Sequence, residues 1–291
     1  MANATTQAIL LVGGGQGIGF ETAKSILTLS PTARIVVFDL QFDPNIPQLM
    51  RDHAKRLLIV QGDVRIPEDR RRAVALCEDE IGGVDTLVYT AGVITPIERI
   101  EHLDIEDVKD AFDVNVFGCM AMVRMTPVRV MVTSLLTLTL QCQLCLPSLR
   151  HSRTTNPTNA AYGKIIILSS TCDKNVTYQG WMPYCTTKAA LTRFIETLAH
   201  EEKLLTVQGV YPRLTRTKLV ENVLAGDYKY VMADHEIEGF RVRNEIGDEM
   251  VEPPEWCGGA VAKLAAGLYE GGPNGQTLHY DTHVPVRAGG S

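Results

Sequence analysis

Residues 8 to 24 read AILLVGGGQGIGFETAK. A short apolar run ends in a glycine cluster, and a helical pattern follows with no loop between them. Gly13, Gly17 and Gly19 stand in a G-x-x-x-G-x-G spacing, with Gln16 and Ile18 among them. Glycines at a strand-to-helix junction let the backbone turn tightly and come close to a ligand. The helix that follows offers unpaired N–H groups and a positive dipole end, a combination that suits a pyrophosphate. A glycine-rich turn says little alone and more when it directly follows a first strand.

Six further runs have strand character: RIVVFD (34–39), RLLIVQGDV (56–64), VDTLVYTAG (84–92), GKIIILSS (163–170), LLTVQGVYP (204–212) and GQTLHYD (275–281). Runs that are apolar throughout suit strands covered on both faces. Most are followed by a stretch of helical period, such as PEDRRRAVALCEDEIG. Strands alternating with helices predict βαβ units and a parallel sheet. No internal repeat and no Pro/Gly/Ser linker divides the chain, so its 291 residues read as one α/β domain.

Asp39 closes the second run. An acidic side chain there accepts hydrogen bonds from an adenosine ribose and repels a 2′-phosphate. Gln16, not Arg or Lys, sits inside the glycine turn, and no basic residue directly follows Asp39. Both features favour NAD(H) over NADP(H).

The net charge of −6, without a long block of like charge, argues against a nucleic-acid partner. The seven cysteines are widely spread. Cys142 and Cys145 form a lone C-x-x-C in an apolar run and read as buried thiols of a reducing compartment, not as a metal site. His200, His235, His279 and His283 lack ligand spacing and read as surface or loop residues. The N-terminus has no basic region before its short apolar run, so a secretory signal is not expected and a cytoplasmic location is. The run MTPVRVMVTSLLTLTLQCQLCLPSL (125–149) is long and apolar, but Thr, Gln and Pro interrupt it. A membrane helix needs roughly 20 apolar residues, and no membrane partner is expected.

The glycine turn, GDV (62–64), TAG (90–92), NVFG (115–118), ILSS (167–170) and YCTTK (184–188) follow one another along these elements. The set resembles the ordered motifs of the short-chain dehydrogenase/reductase family, over nearly the whole chain. The resemblance implies a single Rossmann-type domain, a doubly wound parallel sheet of about seven strands with helices on both faces. It implies Asp63 and Val64 against the adenine, Ala91 and Gly92 beside the cofactor, and Pro212 and Thr217 on the loop that passes the nicotinamide. It implies a catalytic set of Asn115, Ser170, Tyr184 and Lys188, with Ser169 as the weaker choice of serine.

Tyr184 and Lys188 lie one helical turn apart and share a face. A phenol ordinarily titrates near ~10 and is a poor base at neutral pH; a nearby ammonium favours the phenolate. The resemblance therefore implies Tyr184 as acid/base, with Lys188 lowering its pKa and holding the nicotinamide ribose. Ser170 would orient the substrate oxygen, and Asn115 would anchor a proton relay. The implied reaction interconverts a secondary alcohol and a ketone on a small-molecule substrate, in a homodimer or homotetramer. GWMPYCTTKAAL, CLPSL and NGQTLHYD carry a narrower likeness to a fungal branch that includes benzil and sepiapterin-type carbonyl reductases. That branch tends to use NADPH, against which Asp39 decides.

Several positions depart from the family pattern. Tyr89 and Thr90 stand where it has two asparagines, whose hydrogen bonds must be replaced or lost. Ser170 and Tyr184 are one residue farther apart than usual. Arg213 follows Pro212 where a glycine is usual, and an outward-pointing side chain is expected. The separation of Asn115 from Ser170 is unusually long. Residues 126–144 read as an atypical insertion, whose removal joins NVFGCMAMVRM to CLPSLR as one amphipathic helix. Residues 213–250 read as a substrate lid, with Tyr228, Tyr230, Met232 and Phe240 as pocket lining or lid core. Two rival readings stay open: a non-catalytic dinucleotide-binding sensor or scaffold, and a compromised gene product with a retained insertion.

Overall fold

A computed structural model of the chain describes residues 6–124 and 145–284. Cys142 and the expected insertion at 126–144 lie outside the described residues. The seven predicted runs form β1 (Ala8–Val12), β2 (Arg34–Asp39), β3 (Leu57–Gln61), β4 (Thr86–Tyr89), β5 (Lys164–Leu168), β6 (Thr206–Tyr211) and β7 (Thr277–His279). All pair in parallel, in the order β3-β2-β1-β4-β5-β6-β7. The helices are α1 (Gly17–Leu29), α2 (Ile46–Asp52), α3 (Pro67–Leu76), α4 (Ile105–Phe112), α5 (Gly118–Val123) and α6 (Leu146–Thr155). They continue with α7 (Met182–Glu201), α8 (Lys218–Ala225), α9 (Asp234–Ile246), α10 (Pro254–Ala265) and α11 (Tyr280–His283).

Successive strand side chains point to opposite faces, and both faces are covered. Leu10, Val12, Val36, Phe38, Ile165 and Ile167 share one core with residues of α3, α5, α6 and α7. Ile9, Leu11, Ile35, Val37, Val88 and Ile166 share the other with α1 and α10. This two-sided burial is why the strands read as apolar throughout.

Val12 pairs with Phe38 of β2 on one side and Tyr89 of β4 on the other. The connections diverge between β1 and β4, so a crevice opens at their carboxyl ends. The glycine turn fills it. Gly13 has φ +82°, and a Cβ there would lie 2.2 Å from the Ala91 nitrogen. A Cβ on Gly19 would lie 2.0 Å from the Gly13 carbonyl oxygen. No residue with a side chain fits either position without moving backbone.

α5 and α6 are joined across the undescribed stretch. The Cys145 N–H donates to the Met122 carbonyl at 3.2 Å. Cys119, Met122, Val123, Cys145, Leu146 and Leu149 are buried in one cluster. α8 and α9 carry a separate core, where Val220, Val223, Met232, Ile237 and Phe240 pack on Trp181, Cys172 and Ile97.

Candidate active site

A cleft of about 1170 Å³ runs along the carboxyl ends of the central strands. Gly13, Gln16, Gly17, Ile18, Gly19, Asp39, Asp63, Val64, Ala91 and Gly92 line one half. Ser170, Tyr184, Lys188, Pro212 and Thr217 line the other. Of the catalytic and cofactor-binding residues expected from sequence, Asn115 alone does not line the cleft and is fully buried.

Tyr184 and Lys188 sit on α7, which starts with proline in its first turn. Ser170 stands at the mouth of β5 and caps the short 3-10 turn Thr171–Asp173. Its hydroxyl accepts the Cys172 N–H at 3.2 Å and lies on the same side of the cleft as the Tyr184 hydroxyl, whose ionised form it favours. Ser169 turns inward, 3.3 Å from the Thr192 hydroxyl, which leaves Ser170 as the serine beside Tyr184. The Lys188 ammonium donates to the Leu168 carbonyl at 3.0 Å and lies 5.6 Å from the centre of the Tyr184 ring.

Burial dominates the electrostatics of this pair. Enclosure pushes the Tyr184 phenol above its ordinary value, and Ser170 opposes that only in part. Lys188 is 4% exposed, and desolvation holds it down at about 8. The expected lowering of the phenol by Lys188 is therefore not found in the chain by itself. Desolvation disfavours both charged forms, the phenolate and the ammonium.

Asn115 occupies a π-helical turn, Asp113–Phe117, a distortion common at functional sites. Its carboxamide accepts the Val93 N–H at 2.7 Å and donates to the Val93 carbonyl at 2.8 Å and to the Thr187 hydroxyl at 2.9 Å. Thr187 in turn donates to the Tyr184 carbonyl at 2.7 Å. Asn115 thus ties the turn of α7 that carries Tyr184 and Lys188 to the loop after β4. Gly92 leaves the room: a Cβ there would lie 3.2 Å from the Asn115 Oδ1 and 3.5 Å from the Lys188 Nζ.

Tyr89 and Thr90, where the family pattern has two asparagines, make hydrogen bonds of their own. The Tyr89 hydroxyl donates to the Val114 carbonyl at 2.6 Å, and the Thr90 hydroxyl bonds the carbonyls of Val12 and Gly13 at 3.0 and 2.9 Å. At the other end of the cleft Asp39 accepts the Gly15 N–H at 2.7 Å and the Gln41 N–H at 3.3 Å. Burial raises its carboxyl above the usual range, opposed by these backbone donors. The Gln16 side chain donates to Gln41 at 3.2 Å. Asp63 is held below the usual carboxylate range by its hydrogen bonds with Arg65, the shortest at 2.6 Å.

Arg213 does not point freely outward. Its guanidinium lies 3.2 Å from the buried Glu252 and 3.7 Å from Asp281, because an uncompensated buried carboxylate is costly. His279 is likewise no loop residue: it lies in β7, is paired with Asp281 and packs against Tyr211 and Tyr280. Within residues 213–250, Tyr228 lines the cleft, Met232 and Phe240 are core, and Tyr230 is exposed with the Lys229 ammonium over its ring. Sequence reading missed Tyr178, Trp181 and Arg243, which line the same cleft. Only Trp181 left a local signal, three residues before Tyr184. Its ring meets the Tyr184 ring edge-on, 6.0 Å between centres.

Among the described residues no group of three His, Cys, Asp or Glu could hold a metal, and no helix is long and apolar enough to cross a membrane. The first half of the cleft fits a dinucleotide on observations of this chain: a cradle in which Gly13 and Gly19 leave no space for a side chain, an α1 N-terminus without a side-chain cap, and a carboxylate at the tip of β2.

Sheet order and cleft define the class, an α/β protein of dinucleotide-binding architecture. Comparison makes the assignment specific. The family model described as short chain dehydrogenase matches residues 7–133 and 126–227, and the chain belongs to that short-chain dehydrogenase/reductase family. It is accordingly an oxidoreductase of CH–OH and carbonyl groups, and the family binds nicotinamide dinucleotides. An uncharacterized oxidoreductase of Saccharomyces cerevisiae is 24% identical over 278 residues, 94% of this chain and 96% of the relative. Its crystal structure superposes with a TM-score of 0.78 over 94% of this chain and 96% of that one. Benzil reductase ((S)-benzoin forming) of the same yeast is 28% identical over 212 residues, 70% of this chain and 69% of the relative. The crystal structure of the KRED1-Pglu enzyme has 27% identity and a TM-score of 0.77, covering 94% of this chain and all of that one.

Proposed function

We propose that the chain reduces a ketone to a secondary alcohol, and reverses that reaction, with NAD(H) in preference to NADP(H). The observation that carries this reading is the convergence of Ser170, Tyr184 and, one turn along α7, Lys188 on one cleft, with Ser170 favouring the ionised form of the Tyr184 phenol. Gly13, Gly17 and Gly19 with the α1 N-terminus would hold the pyrophosphate. Asp39 would hold the adenosine ribose and repel a 2′-phosphate. Ala91, Gly92, Pro212 and Thr217 would flank the nicotinamide end. The bound dinucleotide supplies the hydride.

The chain supplies position and the proton. Ser170 donates to the carbonyl oxygen and holds it beside Tyr184. Tyr184, kept protonated by its surroundings, delivers its proton to that oxygen. The Lys188 ammonium then stabilises the phenolate, and Asn115 keeps the two side chains in register through Thr187. A phenol raised by burial is a better donor than base at neutral pH, which favours reduction over oxidation there. The aromatic wall of Tyr178 and Trp181, with the benzil reductase relative, supports an aryl ketone as substrate. A cytoplasmic homodimer or homotetramer belongs to the same proposal, and the exposed Ile105 and Phe117 support the assembly.

The test pairs binding with turnover. NADH is expected to raise the unfolding midpoint and NADPH to raise it little, because a ligand of the folded state stabilises by mass action. Benzil reduction is expected with NADH. Tyr184→Phe should keep the NADH shift and lose turnover by about 10³-fold, the scale of a positioned acid. Normal turnover in that variant would refute the mechanism, and an equal shift with NADPH would refute the role of Asp39.

A further inference from the structure

The substrate half of the cleft is mostly apolar and aromatic, lined by Ile94, Val176, Tyr178, Trp181, Leu214 and Tyr228. Three rings form a continuous wall. Tyr184 meets Trp181 edge-on with 6.0 Å between centres, and Trp181 meets Tyr178 at 4.7 Å. Phe240 of α9 supports the outer end, 5.2 Å from Tyr178. At that outer end Arg243, one turn beyond Phe240, also lines the cleft. Its side chain runs back along α9 over Gly239, where a Cβ would lie 3.4 Å from the Nη1, and its charge lies near enough to the Tyr178 phenol to oppose the effect of burial on that hydroxyl.

The other cations of the cleft are engaged. Arg65 is bound to Asp63 and faces Asp110, and Arg213 is bound to Glu252 and faces Asp281. Lys218 reaches Glu221 at 3.9 Å, and Lys188 is held by the Leu168 carbonyl. Nearby, within residues 213–250, Arg216 takes Asp248 and Arg241 takes Glu238. Arg243 has no carboxylate at ion-pair distance among the described residues. Glu249, exposed at the rim, also lines the cleft and pairs with no described cation. A guanidinium set beside a phenol on an apolar wall, with no carboxylate at ion-pair distance among the described residues, presents donors in the planar geometry that a carboxylate accepts.

We propose that Arg243 is an anion subsite of the substrate pocket: it receives a carboxylate at the far end of an aromatic ketone whose carbonyl lies at Ser170 and Tyr184. The inference rests on the reductase reading above and narrows its substrate class to keto acids in which an aryl body separates the two groups. Trp181 and Tyr178 provide ring contacts along the wall that runs from Tyr184 toward Arg243. Arg243 is a specificity residue and takes no part in proton or hydride transfer.

The probes are 4-acetylbenzoate and its uncharged methyl ester, with NADH and the full chain. The wild-type chain should favour the acid over the ester in kcat/KM. Arg243→Met should raise KM for the acid about tenfold or more, the loss expected for a charge-assisted hydrogen bond. It should leave kcat for both and KM for the ester nearly unchanged, and Arg243→Lys should restore part of the acid KM. Glu249→Gln should lower the acid KM, since it removes a like charge from the rim. An acid no better than its ester, or a Met variant that harms both alike, overturns the subsite.

Thermal unfolding with NADH present separates this failure from that of the reductase reading. If the wild-type chain reduces neither ketone, a midpoint raised by 4-acetylbenzoate in wild type and not in Arg243→Met still supports the subsite while the reductase reading falls. Absence of that shift in the wild type overturns the subsite whatever the turnover.

Discussion

Replacing Lys188 by Met is expected to stabilise the cofactor-free chain while it removes turnover. The ammonium is desolvated in the fold and titrates at about 8, against 10.5 for an ordinary lysine. One pKa unit corresponds to about 1.4 kcal/mol, so burying the charge costs about 3 kcal/mol at pH 7. Methionine has similar reach and no charge, but it forfeits the 3.0 Å bond to the Leu168 carbonyl, worth about 1 kcal/mol. The net gain is about 2 kcal/mol, or about 3 °C in the midpoint for a chain of this size. Between pH 8 and 10.5 the unfolded chain binds the proton that the folded chain has released, so wild-type stability rises with pH through this window. Below it the cost is fully present. Paired thermal scans at pH 7 and pH 10 should therefore show the advantage of the Met variant shrinking toward zero. Lys164, also held near 8 by burial, titrates alike in both proteins and cancels in the difference. A Met variant less stable than wild type at pH 7, or an advantage that does not change with pH, would refute the argument.

Three other outcomes are expected. Gly19→Ala places a Cβ 2.0 Å from the Gly13 carbonyl oxygen and should cost about 2 kcal/mol or more in urea unfolding, the scale of overpacking against backbone; an unchanged midpoint contradicts the cradle. Cys185, drawn down to about 7 by hydrogen bonding with the Cys172 thiol, should be the described cysteine that iodoacetamide modifies first near neutral pH. Peptide mapping that finds Cys119 or Cys257 modified first would overturn this, since burial raises both thiols. Deleting residues 126–144 would make Met122 and Cys145 an i, i+4 pair, the relation in which α-helical hydrogen bonds form, and their carbonyl and N–H already lie 3.2 Å apart. The shortened chain should fold with an equal or higher midpoint and keep its NADH response, and failure to fold would count against the insertion reading.

The strands were legible because each is buried on both faces and bounded by turn residues. All seven lie within the runs read from sequence, and β1, β4 and the glycine turn stand where a Rossmann-type sheet needs them. The pair Tyr184 and Lys188 was legible for a similar reason: four residues on one helix is a local relation that no packing can alter. Their protonation was not. It depends on how completely the cleft wall, the α8–α9 region and the loop after β4 exclude water, and none of these is adjacent in sequence to α7.

The same distinction separates what could be read at Arg213 and Arg243 from what could not. Arg213 looked anomalous because it replaces a glycine, yet its partners are Glu252, at the entry to α10, and Asp281, beyond β7. Leu214 and Glu252 are further joined by a 2.8 Å backbone hydrogen bond, so the arginine fastens the root of the α8–α9 region. Arg243 looked ordinary, one more basic residue in a polar helix. Its position becomes informative only when α9 lies across Tyr178 and when neighbouring acids are seen to be engaged by Arg216 and Arg241. A guanidinium already neutralised stabilises structure, whereas one placed at the end of an aromatic wall without a carboxylate leaves that role to a ligand. On the proposed reading, substrate choice would depend on which charges the fold leaves uncompensated, a property of the assembled α8–α9 region that local spacing does not encode.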